Sequence, residues 1–173
     1  MTSVRDRHRC FRALLNALSY PGRWFATPAE NGNDAAALLL ASVWEPGVAL
    51  HRTGSDVELP WQPTLAPPSD ADVIVIEGQR AADALANAQR GTDLYPERGA
   101  TVLWIAGAHE QTAVALEGPG VKGRYETTLP ARREDLDTRA DACADYPRGI
   151  DVVFIAADGS LAALPRTTRV SFA

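Results

Sequence analysis

Lysine, methionine, cysteine and histidine are all scarce in this chain of 173 residues: one lysine, one methionine, two cysteines and three histidines. Each scarcity excludes a class of chemistry. Cys10 and Cys143 stand far apart and in no metal-ligand spacing, which excludes a disulfide framework or zinc knuckle and fits a reducing compartment. Both read as thiols that pack helices. His8, His51 and His109 are isolated, with no second histidine or carboxylate at i+3 or i+4 to share a metal. The lone lysine, Lys122, lies in a glycine-flanked turn where nothing would desolvate it. A pyridoxal phosphate site needs such a lysine for its internal aldimine, with a phosphate cup and a partner for the pyridinium nitrogen. Neither a bound cofactor nor a metal is expected.

Other absences are equally informative. No apolar run of about 18 residues and no charged-then-apolar leader is present, so the protein is expected to be cytoplasmic and free of the membrane. The formal charge is -5 and the arginines are scattered along the chain, which argues against a nucleic-acid footprint, since that needs a basic stripe. No G-x-x-x-x-G-K-[ST] loop occurs. No Ser-His-Asp or Cys-His arrangement can be assembled from sequence neighbours. The length suits one domain spanning residues 1–173, large enough to bury roughly two thirds of its unfolded surface without staples.

What is present is a regular alternation of helices and strands. Phe11, Leu14, Leu15 and Leu18 recur at i, i+3, i+4 and i+7, predicting an amphipathic helix that Pro21-Gly22 stops. Asn33 or Asp34 can cap a second helix through Val43, apolar all round and therefore buried. Val48–Leu50 is a short strand, and the proline-rich stretch 54–69 a surface connection. The runs 72–76, 101–106 and 152–156 are continuously apolar, as in a sheet covered on both faces. Helices are expected at 81–88 and 132–143, and further strands at 113–117, 124–129 and 170–172. The whole reads as an α/β fold, a mixed β-sheet flanked by helices on both faces.

Two local patterns bear on chemistry. Gly118-Pro119-Gly120-Val121-Lys122-Gly123 has the letters of a dinucleotide fingerprint, but that fingerprint requires a helix to begin inside it. A strand-like segment ending at Pro130 follows, so the glycines read as a hairpin turn. Near the C-terminus, Val152–Ala156 and Leu161–Leu164 flank Asp158-Gly159, a hairpin signal. A two-residue loop would set Asp151 directly opposite Arg166 as an ion pair. Arg166, with Thr167 and Thr168, could offer guanidinium and hydroxyl donors to a phosphate or phosphonate; equally, Arg166 neutralises Asp151 and the threonines end the strand. A subunit contact at Asp151, Arg166 and Thr167 is compatible with both.

Tyr146-Pro147-Arg148-Gly149-Ile150-Asp151 and Leu164-Pro165-Arg166-Thr167-Thr168 resemble the C-terminal region of the H subunits of the bacterial carbon-phosphorus lyase system, the PhnH family. Further runs in matching order are Phe11–Leu15, Ser19-Tyr20-Pro21-Gly22, Gly91-Thr92, Pro96-Glu97-Arg98-Gly99-Ala100-Thr101 and Leu116-Glu117-Gly118-Pro119-Gly120. The resemblance implies a fold like a reduced large domain of pyridoxal-phosphate-dependent transferases, without the cofactor. It also implies partners: the G, I and J subunits of the core complex and the L protein. That assembly displaces adenine from ATP with a phosphonate, giving a ribose 1-phosphonate 5-triphosphate. Such a displacement needs a cradle for the triphosphate and an acid for the departing base, and neither is recognisable here. The expected role is an accessory or structural subunit, with a free-standing small enzyme or a phosphonate- or nucleotide-sensing module using an anion site near Arg166 as the alternatives. In isolation the chain is expected to form a two-fold homodimer, with Trp24, Phe25, Trp44 and Trp61 the aromatics to look for either near that surface or, equally, buried in the core.

Overall fold

The computed structural model describes residues 3–78, 81–106 and 111–172; His109 lies outside these. Its elements are α1 (Val4–Ser19), α2 (Gly32–Val43), β1 (Ala49–Thr53), β2 (Thr64–Leu65), β3 (Val73–Glu77), α3 (Ala82–Ala86), β4 (Thr101–Ile105), β5 (Thr112–Glu117), β6 (Tyr125–Leu129), α4 (Arg133–Ala142), β7 (Asp151–Ile155), β8 (Leu161–Leu164) and β9 (Arg169–Phe172). The alternation of helices and strands thus gives an α/β fold, but the strands divide into two sheets. A six-stranded sheet runs β2-β1-β3-β4-β7-β8, and a three-stranded sheet runs β6-β5-β9. In the larger sheet β1, β2, β3, β4 and β7 are mutually parallel, and β8 joins antiparallel at one edge.

The continuous apolar runs become strands buried on both faces, because alternate residues feed two cores. Ile74, Ile76, Val102, Trp104, Val152 and Phe154 point into one core, with Leu85 of α3, Leu136 of α4 and Val114 and Leu116 of the small sheet. Val73, Val75, Leu103, Ile105, Val153 and Ile155 point into the other, with Leu14 of α1 and Leu39 of α2. Helices therefore cover both faces, and the small antiparallel sheet shares one of them.

Several local expectations shift. Helix α1 starts at Val4, capped by Ser3, whose side chain accepts from Asp6 N. Its buried face is Cys10, Ala13, Leu14 and Ala17, so the helix is turned relative to the Phe11–Leu18 stripe and Phe11 and Leu15 remain exposed. Small residues let α1 lie close on α2 and β8. Asn31, rather than Asn33 or Asp34, caps α2, accepting from Asp34 N at 2.9 Å. The stretch 54–69 is not all connection, since Thr64-Leu65 pairs with Ala49-Leu50.

The C-terminal hairpin is also one residue longer in its loop. Ile155 pairs with Leu161, and Ala156 N donates to Ser160 O at 2.9 Å, leaving Ala157, Asp158 and Gly159 in the turn. Gly159 takes φ +78°, the left-handed position a three-residue loop requires. Asp151 is therefore not directly opposite Arg166. After Gly118 to Gly123, strand β6 pairs antiparallel with β5, so these glycines form a hairpin turn and no helix begins there.

Candidate functional site

Asp151 opens β7 and Arg166 follows β8 after Pro165. Although the register is shifted, Arg166 finds the carboxylate: its backbone N donates to Asp151 Oδ1 at 2.7 Å, Nη2 to Oδ2 at 2.6 Å and Nε to Oδ2 at 3.2 Å. Nη1 donates to the carbonyl of Pro96. Both side chains are largely enclosed, at 15% and 24% exposure. The guanidinium is thereby engaged at each of its nitrogens, the bidentate arrangement an arginine makes with a single carboxylate. Thr167 is half-buried, and among the described residues its hydroxyl makes no hydrogen bond.

Around this pair the chain is drawn together backbone to backbone. Gly149 N donates to Arg90 O at 2.9 Å, and Arg90 bridges to Gly99. A Cβ on Gly99 would strike the carbonyl of Gly149 and approach Arg166 Nη1 to 2.9 Å, while one on Gly91 would lie 2.8 Å from Tyr95 O. Gln89 donates to Arg98 O at 2.7 Å, and Arg148 pairs with Asp93 at 3.2 Å. Segments 89–101, 146–151 and Arg166 thus interlock. The junction sits where β4 and β7 begin, because Thr101 pairs with Asp151. Open α/β sheets bind ligands at the other end, beyond the carboxyl ends of the strands.

A second junction lies beneath the 165–168 turn. Arg139 of α4 is 3% exposed, and its guanidinium donates to the carbonyls of Thr168 at 2.7 Å and of Pro165. Burial lowers its pKa from the usual arginine range, opposed by Cys143 and Asp151. On the far side of the turn, Gly118 leaves no room for a Cβ, which would lie 2.7 Å from Thr167 O. Gly120 packs on the Ser19 carbonyl and Gly22 on the Leu116 side chain. Segments 19–22, 116–120 and 165–168 meet here. Sequence reading passed over Arg139, yet its register held a signal: it falls three residues after Leu136 and three before Ala142, on the inward face of α4.

At the carboxyl edge, a hollow of about 570 Å³ opens beside α2, lined by Asp6, Glu30, Asn33, Asp34, Asp56 and Glu58 among others. Its charged lining is entirely carboxylate, the reverse of what a phosphate or phosphonate needs. Among the described residues no three His, Cys, Asp or Glu side chains are placed to hold a metal. Lys122 is exposed in the β5–β6 turn.

The bacterial phosphonate metabolism proteins called PhnH match this chain over residues 1–171. The chain belongs to the PhnH family. A relative from Stutzerimonas stutzeri, which carries the provisional name C-P lyase subunit protein HtxG, is 30% identical over 170 residues, covering 93% of this chain and 84% of its own length. The runs that carried the family resemblance, apart from Phe11–Leu15 on α1, are the segments that meet at the two junctions. They are spread over the sequence and adjacent in space. Of the aromatics singled out, Trp24 is 38% exposed, while Phe25, Trp44 and Trp61 pack on the edge of the α1–α2 core.

Proposed function

We propose that this protein is an accessory or structural subunit of the carbon-phosphorus lyase core complex, acting in phosphonate activation with the G, I and J subunits and the L protein. The step it serves on this reading is the displacement of adenine from ATP by a phosphonate, with the chemistry carried by other members of the assembly. One observation carries the proposal: the motif residues of this PhnH-family chain hold backbone to backbone. Arg166 and Asp151 neutralise each other, Arg139 gathers carbonyls, and Gly22, Gly99, Gly118 and Gly120 permit close approach. Residues arranged in this way preserve a shape that other proteins can recognise.

The reading includes a single unit over residues 1–173, a cytoplasmic location and a two-fold homodimer of the isolated chain. No helix among the described residues is long and apolar enough to cross a membrane. The fold is taken as a reduced pyridoxal-phosphate transferase large domain that has no use for the cofactor, since Lys122 is placed in an exposed turn. An enzyme or sensor with an anion site near Arg166 would require that guanidinium to leave Asp151.

Co-expression with the companion subunits and size-exclusion chromatography tests the proposal. The chain should elute with them, and its deletion should abolish growth on a phosphonate as sole phosphorus source. Elution apart from the companions, or turnover of ATP and phosphonate by the isolated chain, would overturn it.

A further inference from the structure

Helix α1 carries four arginines, Arg5, Arg7, Arg9 and Arg12, against one acid, Asp6. Four of the chain's sixteen arginines thus fall within the first three turns of one helix. Arg5, Arg9 and Arg12 recur at i, i+4 and i+7 and so share a face. All are exposed, and among the described residues none has an ion-pair or hydrogen-bond partner for its side chain. Arg9 and Arg12 line an open groove of about 380 Å³ together with His8, Asn16 and Phe25. At the C-terminal end of α1 the Gly120 turn packs on Ser19, and a second cleft there is lined by Arg23, Lys122 and Arg124. Arg23 is held by the rings of Tyr20 and Tyr125, at 5.9 and 5.3 Å, rather than by a carboxylate.

Beside this basic face runs an apolar one. Val4, Phe11 and Leu15 recur at i, i+7 and i+11 and are 74%, 38% and 46% exposed, although α1 already buries Cys10, Ala13, Leu14 and Ala17. An apolar stripe flanked by unpaired cations calls for an apolar stripe flanked by carboxylates. We propose that the outer face of α1, extended by Arg23 and Lys122, is the docking surface for an acidic amphipathic helix of a companion subunit. This rests on the subunit role above and adds the surface and the partner's chemistry. A second copy is a poor occupant, because a two-fold contact sets the same face against itself and opposes like charges. A nucleic acid would leave the apolar stripe uncovered, and a bilayer would meet a helix whose inner face is already committed to the protein core.

The test uses the full chain co-expressed with the companion subunits, as wild type and as three double variants. Arg9→Glu/Arg12→Glu reverses the basic face, Phe11→Ser/Leu15→Ser removes the apolar stripe, and Arg52→Glu/Arg169→Glu makes the same charge change elsewhere on the surface. All altered positions are exposed, and thermal unfolding of each variant checks that the fold is kept. Expected is at least a tenfold loss of co-purified subunits for the first two variants, little change for the third, and weaker association of the wild type as salt rises. Equal co-purification by wild type and the first two variants overturns the docking surface and leaves the subunit role standing. Failure of the wild type to co-purify overturns the subunit role itself. Sedimentation of the wild type with phosphatidylglycerol vesicles, or retention of a single-stranded oligonucleotide, either one abolished by Arg9→Glu/Arg12→Glu, would reassign the face and overturn the proposal.

Discussion

Asp151 shows how one carboxylate can hold two segments. It accepts from both the backbone and the guanidinium of Arg166, and Arg166 in turn reaches Pro96, seventy positions earlier in the chain. Asp151→Ala leaves that guanidinium largely enclosed with a single carbonyl partner. Partial exposure tempers the penalty, so the loss of stability should be about 1–3 kcal/mol, measured by urea unfolding. Arg139→Met strips the carbonyl of Thr168 of its donor and leaves that of Pro165 only the Thr168 N–H, and should cost roughly 1–3 kcal/mol in the same measurement. The thiol of Cys10 is fully buried, and burial pushes its pKa up to about 12. Cys10 should therefore resist alkylation at pH 8 in the native protein and react only on unfolding; prompt modification without denaturant would show that α1 opens readily.

Among the elements, the β7–β8 hairpin depends on its turn. Asp158 Oδ1 accepts from the Ser160 hydroxyl at 2.7 Å and from its backbone N–H at 2.9 Å. These bonds from Ser160 lower the Asp158 pKa, the hydroxyl foremost. A carboxyl whose folded pKa lies below its unfolded value stabilises above the unfolded pKa and loses that contribution as pH falls through the folded one. The part of stability removed by Asp158→Ala should thus be present at neutral pH and vanish in acid below the ordinary aspartate range. The site is open to solvent, so the effect is small. A difference between variant and wild type that persists unchanged in acid would assign it to backbone conformation instead. The β5–β6 turn makes a steric test. Gly120 has φ +81° and no room for a Cβ against the Ser19 carbonyl. Gly120→Ala should destabilise by more than about 1 kcal/mol, through both the strained φ and the displaced end of α1.

For the molecule as a whole, charge is polarised. A chain of formal charge -5 carries four arginines without ion-pair partners among the described residues on α1 and gathers Asp6, Glu30, Asp34, Asp56 and Glu58 around the hollow beside α2. Such a distribution steers association without fixing affinity. On the proposed two-fold self-association, the isolated chain should sediment as a dimer at high micromolar concentration; a strictly monomeric boundary there would remove that part of the proposal.

The sequence by itself determined the alternation of elements and the buried character of the central strands. Period and apolar runs are local, and Val73–Ile76, Val102–Ile105 and Val152–Ile155 leave a strand no solvent face. It also determined the family, since ordered short motifs survive as a pattern even when each is weak alone. Only tertiary packing decided that β5, β6 and β9 leave the main sheet, because pairing partners far apart in sequence are not encoded by period. Packing likewise turned α1 so that small residues face inward: Cys10, Ala13 and Ala17 allow a close approach to α2 and β8 that Phe11 and Leu15 would prevent. The same holds for Asp151 and Arg166. Their attraction was legible, but Pro165, the longer loop and the reach to Pro96 made it a junction. A side chain's charge is written in the sequence, whereas what it must hold together depends on which distant backbone is brought beside it.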